Sequence, residues 1–317
     1  AKLIIRNEEN QMINIVGKRL WFLGISLSVL LVGLIVIAIP PHLNLGIDFT
    51  SGSTVTVDFY DDPGSQKIEN SLSNIGANNF SVQSMGEGAY FIRLQELKDS
   101  GDSSNDKDGS LLSRDDLEKS FSNINENFEI LSVETVGKKI ADGTIQNSII
   151  AVAVASIFVM AYIMYAFRAV GNSFRYALGA IIALLHDVFI ILGLFAILGL
   201  IFGIQVNAIF IVGILTVIGY SVNDTIVVFD RIRENQLRLP NRAFSETVNL
   251  AINESIGRSL NTSVTTSLVI LAMLLFGGDS LRDFLIVLLL GVIIGTYSSI
   301  FIAAQFLVFW EEGFRKK

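Results

Sequence analysis

From Leu20 to Trp310 the chain alternates long apolar runs with polar segments, and one of those polar segments is far longer than the others. The apolar runs cover residues 20–39, 148–167, 176–200, 206–229, 259–276 and 284–310. An α-helix needs about 20 apolar residues to cross the hydrocarbon core of a bilayer, so each run predicts a membrane-spanning helix. Pro40-Pro41 stops the first because proline cannot continue a helix interior. Around the spans lie a polar N-terminal segment, 1–19, a loop at 168–175, a charged stretch at 230–258, a turn at 277–283 and a tail at 311–317. Met12, Ile13, Ile15 and Val16 suggest a short interfacial helix over 10–17. Ala243–Glu254 reads as a helical segment inside the 230–258 loop.

The long polar segment, 40–146, carries the pattern of an α+β domain. Ser53–Tyr60 alternates and is rich in β-branched residues, as strands are. Phe80–Ser84 and Ala89–Leu94 read as two strands joined around Gly86 and Gly88, and Phe128–Val136 as a fourth. Ile68, Leu72 and Ile75 in one segment, and Leu117, Phe121 and Ile124 in another, recur at helical spacing. Ser113 precedes acids in the first turn of the second helix, an N-cap pattern. The order β-α-β-β-α-β predicts a ferredoxin-like fold. Lys98–Gly109 reads as a mobile polar insertion. The fold class expected is therefore a six-span α-helical membrane protein with a ferredoxin-like α+β domain between spans one and two.

Composition agrees with that class, because 51% of residues are hydrophobic and only 17% charged. The first apolar run is long enough to span, so no cleavable signal peptide is expected. Cysteine is absent and only two histidines occur. Disulfides, thiolate metal sites and His-rich metal sites are excluded. Residues 40–146 hold 18 acidic against 8 basic residues. The N-terminus, the 168–175 loop, the 230–258 loop and the tail hold 4, 2, 5 and 3 basic residues, and the opposite short loops only Arg282. Basic residues in short loops mark the cytoplasmic face. Both termini are expected there, with 40–146 on the outer side. An acidic domain beside a basic membrane face argues against nucleic-acid binding.

Candidate chemistry lies inside the spans. Asp224 in the fourth run is preceded by Ser221 and Asn223 and followed by Thr225 and more apolar residues. A carboxylate at such depth costs about 3 kcal/mol on insertion scales. It is expected to face protein or water and to handle protons or ions. The alternative is a carboxylate reaching the headgroups. Val217, Tyr220, Ser221 and Asp224 share one helix face. On the fifth run Arg258, Asn261, Thr262 and Thr265 form a polar stripe. Arg258 can pair with Asp224, or extend to lipid phosphates while the threonines bond back to their own helix. His186 and Asp187 are adjacent, so they point about 100° apart and do not both face one partner. His186 can relay protons or make a structural hydrogen bond. Gly291, Gly295, Ser299 and Ala303, four apart, form a small-residue packing stripe. No nucleotide loop, nucleophile set or metal cluster is visible, so no hydrolytic enzyme is expected and no cofactor.

The six spans with a large first loop, Gly46–Ser53 (GIDFTSGS), His186-Asp187 and Gly219–Asn235 (GYSVNDTIVVFDRIREN) together resemble the SecF family, the smaller half of the SecD–SecF protein-translocation accessory. Gly46, Asp48, Phe49 and Gly52 carry the family's signature at the domain junction. Its Phe-X-Gly-Gly reads Phe49-Thr50-Ser51-Gly52 here, with Ser51 as the departure. The resemblance implies pairing with SecD into a twelve-span unit similar to resistance-nodulation-division transporters, in the bacterial cytoplasmic membrane. It implies association with the SecYEG channel, with YajC and YidC as candidate associates, and use of the proton gradient to promote late export of unfolded preproteins. The family's proton-pathway Asp and Arg fall on Asp224 and Arg258. Sodium is the alternative coupling ion. A homodimeric proton-coupled exporter and a non-conducting partner of SecD are the competing readings.

Overall fold

The structure is a computed structural model that describes residues 13–40, 43–78, 80–86, 88–97, 112–277 and 281–313. The insertion expected at 98–109, residues 1–12 and the tail from 314 lie outside the described residues. Among the described residues six helices are long and apolar enough to cross a membrane. They are α1 (Arg19–Ala38), α5 (Lys138–Ala166), α6 (Ser173–Phe202), α7 (Ala208–Arg238), α8 (Phe244–Phe276) and a sixth span over Arg282–Glu312. The sixth runs as α9 (Arg282–Ser298), one π turn (Ser299–Ala303) and α10 (Ala304–Glu312).

Between the first two spans the chain forms a four-stranded antiparallel sheet, order β2-β3-β1-β4. Its strands are β1 (Gly52–Phe59), β2 (Ser81–Gly86), β3 (Ala89–Leu94) and β4 (Phe128–Val136). A short α2 (Ile47–Thr50) precedes β1, and α3 (Ser65–Asn74) and α4 (Arg114–Ser122) pack on one face. Alternation sends Val55, Val57, Phe59, Tyr90, Ile92 and Leu94 inward, against Ile68, Leu72, Leu117 and Phe121. Burying each such aliphatic or aromatic side chain stabilises the fold by about 1.5–3 kcal/mol. Ser113 and Asp116 form a reciprocal capping box at the start of α4. Their hydrogen bonds hold the Asp116 carboxyl below the usual carboxylate range.

The root of this domain is tightly built. Gly52, the first residue of β1, lies opposite Val136, the last of β4, so both chain links to the spans leave from neighbouring strand ends. Ser53 Oγ and Thr135 Oγ1 are hydrogen-bonded at 2.8 Å, and the Leu97 amide donates to Ser53 Oγ at 2.9 Å. Arg93 donates to the Leu45 carbonyl at 2.7 Å and to Thr50 Oγ1. Phe49 and Ile47 are buried. Ser51 adopts φ +60°, ψ 167°, a region otherwise held almost only by glycine. Gly52 at φ +124° could carry no side chain, since a Cβ there would sit 2.7 Å from the Leu94 carbonyl oxygen.

Among the spans, α1 meets α6 where Gly33 and Gly193 face each other; a Cβ on Gly33 would lie 2.9 Å from Gly193 Cα. Gly291 and Gly295 of α9 face Val217 and Ser221 of α7, and a Cβ on Gly291 would fall 2.0 Å from Val217 Cγ2. Further along the same stripe, Ser299 reaches Thr225 and the Ala303 carbonyl lies beside Gly179. Most of α5 is exposed. At its end the Phe167 ring stacks on Tyr176 with centroids 5.0 Å apart.

Three expectations change. Residues 13–15 are not helical, and the chain enters α1 through a single 3-10 turn, Val16–Lys18. The expected 230–258 loop is mostly helix: α7 continues to Arg238 and α8 begins at Phe244. Charge ends an apolar run without ending a helix, because backbone hydrogen bonding continues wherever the side chains allow it. The sixth span is interrupted by the π turn, at Ser299 and Ala303 of the small-residue stripe.

Candidate functional site

Two buried carboxylates sit within the bundle of spans. Asp224 on α7 is only 7% exposed. Ser259 Oγ on α8 donates to its Oδ1 at 2.6 Å, and Oδ2 is buried with no hydrogen-bond partner among the described residues. A buried polar atom without a partner carries a desolvation cost of about 1–3 kcal/mol, more for a charge. The α7–α8 seam continues from there: Tyr220 hydroxyl and Ser263 Oγ lie 3.2 Å apart, and Ser263 is hydrogen-bonded to Thr296 of α9.

The second carboxylate, Asp187 on α6, is 2% exposed and fully engaged. Its Oδ1 lies 3.0 Å from His186 Nδ1. Its Oδ2 accepts from Ser221 Oγ of α7 at 2.6 Å and from Ser298 Oγ of α9 at 2.8 Å. Thr225 Oγ1 donates to the Ser221 carbonyl and meets Ser299 Oγ at 2.8 Å. Three helices thus converge on Asp187. The other face of His186 leads to α1: its ring stacks near Tyr297, whose hydroxyl donates to the Phe22 carbonyl at 3.0 Å and accepts from Ser26 at 3.1 Å. His186 Nε2 is buried without a partner among the described residues.

This arrangement departs from some expectations and, for the α8 threonines, follows the alternative of bonding back to their own helix. His186 and Asp187 bond to each other despite their 100° separation, because rotation about the side-chain bonds brings the two groups together over one peptide. Ser221 serves Asp187 and not Asp224. Arg258 makes no ion pair among the described residues and is exposed, as are Asn223, Asn261, Thr262 and Thr265. Thr262 and Thr265 donate back to carbonyls of their own helix, at 2.9–3.1 Å. The inward stripe of α8 is Ser255, Ser259 and Ser263. It has the same four-residue spacing as Arg258 and Thr262, one position over. That spacing was visible in the sequence; which stripe turns inward was not.

Away from the carboxylates, Glu254 of α8 accepts from Arg231, Asn235 and Arg238 of α7 at 2.8, 2.6 and 3.4 Å. Arg175 of α6 pairs with Glu311 of α10. Among the described residues no three His, Cys, Asp or Glu side chains converge as a metal site requires. The paired elements are suited to taking up and releasing a proton or small cation, and to tying that event to helix packing.

Comparison with known proteins gives these features a family. Residues 116–313 match the family described as protein export membrane protein SecD/SecF, C-terminal, and residues 41–59 match the SecD/SecF GG motif. The chain is 39% identical to the protein translocase subunit SecF of Thermobaculum terrenum over 311 residues, 95% of each chain. It is 39% identical to that of Anaerolinea thermophila over 312 residues, again 95% of each. Among solved structures, SecDF from Thermus thermophilus, titled a translocon-associated membrane protein, matches with a TM-score of 0.81 at 30% identity. SecDF in a form titled super-membrane-facing matches with a TM-score of 0.62 at 29% identity. Both matches cover 95% of this chain but only 39% of the solved chain, so this chain spans about two-fifths of those proteins. With six spans, the α+β domain after the first and its junction motif all accounted for, the chain belongs to the SecF branch of the SecD/SecF family of protein export membrane proteins.

Proposed function

We propose that this protein is the ion-driven half-unit of a SecD–SecF pair, which acts beside the SecYEG channel, with YajC and YidC as candidate associates, and promotes late export of unfolded preproteins. The observation that carries the reading is Asp224: a nearly fully buried carboxylate at membrane depth, with one oxygen held by Ser259 and the other without a partner among the described residues. Such a group is poised to change protonation state with a change in packing around it. One proton crossing 100 mV provides about 2.3 kcal/mol, a bias of roughly fifty-fold between two arrangements. That suffices to suppress backsliding of an extended chain, though not to unfold a stable domain at one step. The α+β domain, translocated to the outer face, changes its angle and holds or releases the chain by strand addition.

Pairing with SecD is supported by the outward face of α7 and α8. Asn223, Arg258, Asn261, Thr262 and Thr265 are exposed within spans, and polar groups facing lipid are costly. A second six-span half placed there would bring Arg258 into a protein interior. The same face weighs against the chain acting as a lone monomer.

The test is Asp224→Asn in membrane vesicles reconstituted with SecD and the channel. Loss of gradient-dependent export with the complex intact is expected. Export at wild-type level would overturn the reading. Repeating the assay with a sodium gradient in place of a proton gradient identifies the coupling ion. Purification as a homodimer active without SecD would favour the exporter.

A further inference from the structure

Residues 13–16 hold a contact that nothing in the spans themselves requires. Asn249 and Asn253 lie one turn apart on α8, on one face. Asn249 Oδ1 accepts from the Ile15 and Val16 amides at 2.9 and 3.2 Å, and its Nδ2 donates to the Ile13 carbonyl at 3.2 Å. Asn253 Oδ1 accepts from the Ile13 amide at 3.0 Å, and its Nδ2 donates to the Ile13 carbonyl at 3.0 Å. Two side-chain amides thereby read the backbone of one segment, non-helical up to the 3-10 turn, from both its donor and its acceptor side, as a neighbouring strand would. Ile15 and Val16 are buried, with 4% and 5% exposed. Four residues on from Ile15, Arg19 is buried with its guanidinium 5.0 Å above the Phe309 ring of α10.

We infer that Ile13–Val16 is a coupling strap that ties the first span to α8. The strap leads through one 3-10 turn directly into α1, and α1 is joined by residues 39–46 to the α+β domain. On the other side, Asn253 is six residues from Ser259, the donor to Asp224, about 9 Å along a rigid helix. Glu254 binds α7 from a position about 100° round the helix from Asn253. The two anchors therefore grip different neighbours, and a shift of α8 that breaks or remakes the Ser259–Asp224 bond has to carry the strap with it. Asn249 and Asn253 are positioning residues that pass such a shift to the root of the domain. Because the contacts go to backbone atoms, the side chain at position 13 is free to vary, whereas the two asparagines are not.

This inference rests on the ion-driven reading of Asp224, and its test separates the two. Asn249→Ala with Asn253→Ala detaches the strap. A second variant inserts two glycines between Gly17 and Lys18, which keeps all five strap bonds and puts slack before α1. Each is assayed in vesicles with SecD and the channel, beside Asp224→Asn, and a spin label on an introduced Cys at position 13 reports strap mobility in this otherwise Cys-free chain. Both variants are expected to assemble and to lose gradient-dependent export by about fivefold or more, with label mobility raised only in the asparagine pair. Joining introduced cysteines at positions 13 and 253 with a short crosslinker should restore export. If Asp224→Asn abolishes export while the slack variant exports normally, the strap is overturned and the ion reading stands. If Asp224→Asn exports normally, the ion reading fails with it. Should the alanine pair fail to assemble, the slack variant decides.

Discussion

Ser259 Oγ sits 2.6 Å from Asp224 Oδ1, one position along α8 from Arg258, for which pairing with Asp224 was one of two expected alternatives. A neutral hydroxyl holds the carboxylate without neutralising it. Ser259→Ala would leave both carboxylate oxygens without a protein donor. Hydrogen bonds to charged groups contribute about 1.5–3 kcal/mol. Gradient-dependent export is expected to fall at least several-fold while assembly with SecD persists, and Ser259→Thr, which keeps the hydroxyl, should retain most of it.

Ser51 offers a gain in stability. Its positive φ with extended ψ costs a non-glycine residue about 1–3 kcal/mol, against the roughly 0.5–1 kcal/mol of chain entropy that glycine carries. Ser51→Gly is expected to stabilise the domain by about 1 kcal/mol. Gly52→Ala is expected to destabilise it, since its Cβ would press on the Leu94 carbonyl. Thermal unfolding of the purified chain, with hydrogen exchange of the β1 and β4 amides, distinguishes the two directions.

The α7–α9 contact admits no side chain at Gly291. A Cβ there would lie 2.0 and 2.6 Å from the two Val217 methyls. Gly291→Ala is expected to cost about 1–3 kcal/mol by overpacking. Combining it with Val217→Ala, which opens the facing position, should recover most of the loss. Thermal stability in detergent measures both.

Acid should loosen α4 before the rest of its domain. The Asp116 carboxyl is held low chiefly by its hydrogen bonds with Ser113. A folded value below the unfolded one means that the stabilisation is present above the unfolded value, about 3.9, and is lost as pH falls through the folded value. Exchange of the 114–122 amides is expected to quicken in that acid range. Asp116→Asn should quicken it already at neutral pH and remove the acid dependence.

The outward polar face of α7 and α8 predicts where the partner lies. Single cysteines at Asn223 and Thr262 in this Cys-free chain are expected to crosslink to SecD and to resist labelling by a water-soluble maleimide in the assembled pair. Labelling at equal rates with and without SecD would place the partner elsewhere.

Much of this protein is a local property of its chain. Six apolar runs of bilayer length dictate six helices, because a backbone in hydrocarbon has to satisfy its own hydrogen bonds. The alternation Val55, Val57, Phe59 and the spaced Leu117 and Phe121 likewise mark strand and helix from local pattern. The buried depth of Asp224 could be read the same way. Tertiary structure decided the rest. Rotation of a helix about its own axis is set by what packs around it, so only packing could turn Ser259 inward and Arg258 outward. It assigned Ser221 to Asp187, carried α7 and α8 through the charged stretch where Glu254 binds Arg231, and held Ile13–Ile15 in non-helical form on two asparagines more than two hundred residues away. Those choices depend on partners remote in sequence, and nothing in the composition of one segment records who its neighbour will be.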